Sequence, residues 1–250
     1  MSGIAALRPV AHAVSQAAAD TASGVIAAVR TAASRTGVDF SYLVAQAKVE
    51  SGLNPDAAAS TSSARGLYQF TARTWLDTVR RHGAAHGLGW AADALNTGAS
   101  AEVKASILSL RTNAEAAALM AGAFARDNGA KLESALGRAA SATDLYMAHF
   151  LGPSGAARFL KQMASAPRSD AAGLIPAAAA ANRGVFYGHD GTPRSLAEVY
   201  ERFAARIEGG HTNSRLPLTR AATSDPAAPA ANVPLARARL AYMLLAELGA

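Results

Sequence analysis

One residue in four of this chain is alanine, 65 of 250. A side chain of one methyl group loses no rotamer freedom in a helix, and alanine has the best helix propensity of all residues. Leu, Gln, Lys, Arg and Glu fill much of the remainder and are also good helix formers. The expected fold class is therefore mainly α, and no convincing strand pattern and no internal repeat compete with it. A chain of 250 residues easily buries a core, as one large domain or one domain with tails.

Composition and hydrophobic pattern divide the chain into an Ala-rich helical segment at 1–34, a main domain at 35–208, a linker at 209–234 and a short helix at 235–250. In the domain, Asp39 is a natural N-cap, and Phe40, Leu43, Val44 and Ala47 repeat at i, i+3, i+4 and i+7 until Gly52 and Pro55 stop the helix. Residues 54–66 read as a loop of small and polar residues. A second helix starts near Thr71. Helical patterns return over 101–127, 131–138 and 142–151, then after the Gly152-Pro153-Ser154-Gly155 turn, and again from Ser195 with Glu198 completing a capping box. The linker is rich in Gly, Pro, Ser, Thr and Ala. The last helix carries Leu240, Tyr242, Met243, Leu244, Leu245 and Leu248, a face that suits docking on the domain or on a partner.

Several function classes fall away on composition. A net charge of +6 favours an anionic partner: nucleic acid, an acidic membrane or acidic wall polymer. The basic residues are scattered, however, the densest run being Arg80-Arg81-His82, and no aromatic–basic ladder offers base stacking, so no nucleic-acid partner is expected. Zero cysteines exclude disulfides, zinc knuckles, iron–sulfur ligation and a thiol nucleophile. His82 and His86 have the i, i+4 spacing of metal ligands, but Gly83 and Gly87 spoil the helix that spacing needs. Neither a metal nor a cofactor is expected. No stretch approaches the ~20 apolar residues of a membrane span. Pro9, His12, Ser15 and Gln16 interrupt the N-terminal apolar residues, so they do not read as a secretory signal.

Glu50 is the first candidate for chemistry. It lies beside Leu43 at the edge of the apolar stripe, where desolvation would favour the protonated carboxyl a general acid needs. The residues that follow sharpen the assignment: Glu50-Ser51, then Asn54-Pro55, a small-residue loop with Ser60, then Gly66-Leu67-Tyr68-Gln69 and Thr74. This order and spacing resemble the soluble lytic transglycosylase (SLT) family, whose lysozyme-like catalytic domain cleaves peptidoglycan. A third segment, Tyr146-Met147-Ala148-His149-Phe150-Leu151-Gly152-Pro153, is similar to the family's Ala-Tyr-Asn-Ala-Gly stretch. Aligned on Gly-Pro, His149 stands at the family's tyrosine, with Tyr146 one helical turn earlier as the other candidate. The resemblance covers about 36–163.

The resemblance implies a lysozyme-like helical domain acting as a peptidoglycan lytic transglycosylase. Glu50 would protonate the glycosidic oxygen between N-acetylmuramic acid and N-acetylglucosamine, then accept the proton of the muramic C6 hydroxyl as a 1,6-anhydro end forms. Ser51 would bond Glu50 or the acetamido group. Gln69 would hold sugar hydroxyls, Tyr68 would stack on a sugar face, and Tyr146 or His149 would reach the cleft. Trp75 and Trp90 are further aromatic candidates for sugar contact, with core packing favoured for Trp75. Asp56 reads as a solvated loop acid. The implied partner is the glycan strand, with an envelope-spanning machine as a second partner through the C-terminal segment, and the implied location is the periplasm or cell envelope. Two other readings stay open: a muramidase of the same fold, with water as the nucleophile, and a wall-binding scaffold of an envelope machine.

Overall fold

The computed structural model describes residues 7–60 and 62–212. Most of the linker assigned to 209–234, and the whole helix assigned to 235–250, lie outside these residues. The described chain is helical almost throughout, its extended pairs being isolated bridges, as the alanine content predicts. Among the described residues no helix is long and apolar enough to cross a membrane. The chain divides into two units.

The first unit holds the described residues up to Ala58 and residues 65–124. Helix α1, Leu7–Thr36, is one continuous helix and runs two residues past the expected end of the N-terminal segment. It packs on α2, Phe40–Ser51, burying Val25, Val29 and Ala32. Asp39 caps α2, accepting the Tyr42 N–H at 2.8 Å. Helix α3, Ala72–His82, starts at the Thr71 cap and packs on α4, Gly89–Thr97, and on α5, Ala101–Ser109. Helix α6, Ala114–Leu136, begins after a single 3-10 turn at Leu110–Thr112. Where α6 passes α1, Gly122 leaves room that a Cβ would take from Thr36, its hydroxyl oxygen lying 2.5 Å from that position.

Alanine does more here than favour helices. Ala116, Ala117, Ala118, Ala121 and Ala123 are all buried in the first half of α6, and Ala32, Ala45, Ala47, Ala91 and Ala92 are buried on α1, α2 and α4. Larger side chains fill the space between them: Leu43, Leu67, Trp75, Ile107 and Met120 are fully buried.

The second unit comprises residues 59–64 and those from Ala125 onward. Helix α7, Ala142–Ser165, absorbs the expected turn as a kink: Gly152 has φ 72° and ψ 157°, and Pro153 opens the next turn. Short helices α8, Ala171–Leu174, α9, Pro176–Ala181, and α10, Arg183–Phe186, follow, and α11, Leu196–Thr212, packs against α7. The helix thus continues through the first four residues of the segment read as linker. Phe203 of α11 meets Phe150 and Tyr146 of α7 edge-to-face, with ring centroids 4.9 and 5.9 Å apart. Asp144, fully buried in the first turn of α7, accepts from Arg138 at 2.7 Å, the Ser141 N–H at 2.9 Å and the Tyr200 hydroxyl at 3.2 Å.

Candidate active site

Glu50 sits in the last turn of α2 and is half-buried. The helix stops beyond it because Gly52 takes the left-handed conformation, φ 65°, and returns its N–H to the carbonyls of Ala47 and Lys48. Leu53 follows at φ 65°, a conformation that residues with a Cβ seldom adopt. The chain then turns through Asn54, whose side-chain oxygen accepts the Asp56 N–H at 2.9 Å. Asp56 is exposed, as expected of a solvated loop acid.

The Gly66–Phe70 segment is fastened to the end of α2 and to its own loop. Ser51 Oγ donates to the Leu67 carbonyl at 2.8 Å, with the Ala47 carbonyl at 3.0 Å. This hydroxyl joins loop to helix, where the sequence reading gave it Glu50 or a substrate acetamido group. Gly66 N–H donates to Ala57 O at 2.8 Å, and Arg65 and Phe70 form an antiparallel bridge closed by an N–H···O bond of 3.1 Å.

Gln69 occupies the middle of that tight turn at φ 49°, the second non-glycine residue in the left-handed region among the described residues. Such a backbone costs on the order of 1–3 kcal/mol and persists only where its surroundings over-determine it. Here they do: Gln69 N–H and Nε2 both reach Gly66 O, at 3.1 and 2.8 Å, and Nε2 also reaches Ala57 O at 3.1 Å. The side chain is only 4% exposed. Its amide therefore shapes the loop, which differs from the sugar-holding role expected of it.

Tyr68 is also a correction. It is 1% exposed, its hydroxyl donates to Leu43 O at 3.2 Å, and burial pushes its pKa well above the ordinary tyrosine value. The ring lies inside the protein and braces α2 against the loop, so it has no face to offer a sugar. Trp75 is fully buried, with Nε1 donating to Ile107 O at 2.7 Å, and packs edge-to-face on Phe70. Trp90, at the start of α4, is the opposite case, 52% exposed.

One residue essential to this arrangement escaped sequence reading. Arg111 is buried, and its guanidinium donates to Phe70 O at 3.2 Å and to Leu108 O at 2.9 Å. Burial, then the positive charge of Arg65, pulls its pKa below the usual arginine value. Its own carbonyl lies against Gly66, which at φ 79° is buried and has no room for a side chain on that side. No local pattern marks an arginine in a 3-10 turn as the anchor of a loop some forty residues earlier.

Glu50, Ser51, Tyr68 and Gln69 belong to the first unit, where the bonds above join Ser51, Tyr68 and Gln69 to α2 and its loop. Tyr146 and His149 belong to the second unit. They lie one turn apart on α7, with rings stacked at 6.1 Å and 14°, and both are buried. Burial gives these rings a packing role within their unit, in place of the sugar contact the sequence suggested for one of them. The stretch from residue 27 to residue 129 matches the family model of the transglycosylase SLT domain.

Proposed function

We propose that this mainly α, lysozyme-like chain, whose residues 27–129 match the transglycosylase SLT domain, is a peptidoglycan lytic transglycosylase with Glu50 as its general acid and base. The observation that carries this reading is the construction around Glu50. A half-buried carboxyl ends a capped helix, and two strained residues and a network of buried bonds hold the adjoining loop in one conformation. Strain held so firmly is characteristic of sites where geometry must not relax.

Protonated Glu50 gives its proton to the glycosidic oxygen between N-acetylmuramic acid and N-acetylglucosamine as that bond breaks. The resulting carboxylate then takes the proton of the muramic C6 hydroxyl, whose oxygen bonds to the anomeric carbon and closes a 1,6-anhydro ring. One group thus serves both steps, and no net proton is gained or lost. Ser51, Gln69 and Arg111 act as positioning residues: they fix the Gly66–Phe70 backbone, whose amide groups are the natural partners for substrate N-acetyl groups. Trp90 is available as a sugar platform. The work is done in the periplasm or cell envelope, on glycan strands, for local opening or remodelling of the wall, with a C-terminal partner machine as a further element of the proposal.

Digestion of purified sacculi followed by mass analysis of the released muropeptides tests the reading. The chain should yield 1,6-anhydro ends, and Glu50→Gln should fold, still bind sacculi and release products at least about a hundredfold more slowly, the lower end of general acid–base contributions. Products heavier by one water would make the protein a muramidase. Activity in Glu50→Gln above about a tenth of the unmodified chain would remove Glu50 from the mechanism.

A further inference from the structure

Beyond the matched stretch, the second unit contains a cavity of about 1030 Å³ between α10, the turn at 187–194 and α11. Four arginines line it, Arg183, Arg194, Arg202 and Arg206, together with Tyr187 and Asn182. One of the four is structural: Arg194 Nη1 donates to the carbonyls of Gly184 and Val185 at 3.0 Å each, and to that of Tyr187, and so closes the turn. Arg183 lies over the Tyr187 ring, its guanidinium carbon 4.6 Å from the ring centre. Arg202 and Arg206 are four residues apart on one face of α11, a spacing at which like charges repel.

The nearby carboxylates Asp190 and Glu198 feel the charge of Arg194, and hydrogen bonds within their own turns hold both. Asp190 accepts the Thr192 hydroxyl and N–H, and Glu198 accepts the Ser195 hydroxyl and N–H. Among the described residues no carboxylate forms an ion pair with Arg183, Arg202 or Arg206. Burial, then the charges of Arg194 and Arg206, pulls Arg202 below its usual pKa, as expected of cations gathered without a counter-ion. Asn182 belongs to the buried wall behind the arginines. It is 2% exposed, its Nδ2 donates to Ala178 O at 2.9 Å, and its Oδ1 meets no donor among the described residues.

Three arginines with no carboxylate ion-paired to them, gathered around one cavity, call for a ligand that carries more than one anionic oxygen group. The volume, at the upper end of the ~300–1,000 Å³ usual for ligand pockets, suits several residues better than a lone phosphate. We propose that this cavity binds the free carboxylates of the short peptides carried by the wall polymer, so that the chain grips its substrate by peptide as well as by sugar. The identity of the peptide rests on the peptidoglycan reading above; the arginine cavity itself does not.

Calorimetric titration of the full chain with a synthetic tetrapeptide bearing two free carboxylates and no sugar tests this. The chain should bind the peptide, and Arg202→Gln with Arg206→Gln should weaken binding at least about tenfold through loss of charge-assisted hydrogen bonds. Lys104→Gln with Lys131→Gln, which removes the same charge from exposed positions, should leave affinity unchanged, as should Glu50→Gln. If the double arginine variant fails to fold by circular dichroism, each single variant carries the same test. Absence of peptide binding, equal weakening in the lysine variant, or displacement by equimolar inorganic phosphate would overturn the proposal, the last by marking a phosphate site. Peptide binding with no digestion of sacculi would sink the catalytic reading and leave this one standing. Digestion without arginine-dependent peptide binding would do the reverse.

Discussion

Changing Gly66 to alanine should damage this protein in two separable ways. The first is conformational: φ is 79°, and a residue with a Cβ pays about 1–2 kcal/mol there. The second is steric. The new methyl would fall on the Arg111 carbonyl, whose carbon would lie 2.7 Å away, with Pro55 O at 3.5 Å on another side. Relief requires moving backbone in a buried segment, and overpacking of that kind typically costs about 1–3 kcal/mol. The sum, about 2–5 kcal/mol, corresponds to a thermal midpoint lower by roughly 4–20 °C at ~2–4 °C per kcal/mol for a chain of this size. Gly87 isolates the first effect, since its φ is 83° and a Cβ there meets nothing within 4 Å. Gly87→Ala should therefore lose only the ~1–2 kcal/mol conformational part. Thermal and urea unfolding followed by circular dichroism would give both values. Equal destabilisation by the two variants would mean that Arg111 does not press on Gly66, and the account of how the loop is held would fail with it.

Removing the Tyr68 hydroxyl as Tyr68→Phe should cost about 0.5–1.5 kcal/mol in urea unfolding, the usual net worth of such a bond, and should leave KM on glycan strands unchanged because the ring is internal. Asp144→Ala removes the acceptor of the Ser141 N–H, the Tyr200 hydroxyl and the half-exposed Arg138 at once; a loss of about 1–3 kcal/mol is expected from the donors left unsatisfied, measured by the same unfolding curves. At Glu198, bonds from the Ser195 hydroxyl and N–H hold the carboxyl below its ordinary pKa. A depressed folded-state pKa means stability that is fully present above the unfolded value, ~4.3, and lost as pH falls through the folded one. The thermal midpoint should therefore drop on acidification through that window less steeply in Glu198→Gln than in the unmodified chain.

Local signals told the most. Asp39 and Ser195 are caps as their sequence context predicts, because capping depends on residues two or three positions away, and the helix expected near Thr71 starts at a cap there. The run from Glu50 to Thr74 was legible as a loop closing on the end of α2 for a similar reason: apart from the bond from Arg111, the loop bonds described above span about twenty-five residues or fewer. Side-chain direction was not legible. Ser51, Tyr68 and Gln69 have the types one would choose to touch a sugar, yet each is committed to a protein carbonyl, Leu67, Leu43 and Gly66 respectively. A motif records that a residue is needed, and a buried bond that shapes a loop satisfies that need as well as a substrate contact. Arg111 and the arginine cavity were missed because their partners are brought together by folding over dozens of residues, and scattered cations look alike in a list. Helices α8 to α10 escaped because runs of four to six residues are too short for apolar periodicity to register.

The buried alanines of α6 make the mutational neighbourhood of this protein lopsided. A core of large side chains is injured mostly by subtraction, since truncation leaves a hole. At Ala117, Ala118 or Ala123, fully buried, there is almost nothing to subtract, and nearly every accessible substitution adds atoms where helices already meet closely. Drift there has one permitted direction, toward glycine, which loosens the helix by about 1 kcal/mol each time. Such a lineage would change its surface freely while holding these interior positions nearly still. In related chains, α6 should therefore be readable as a column of small residues long after the arginines and the loop between 54 and 66 have diverged.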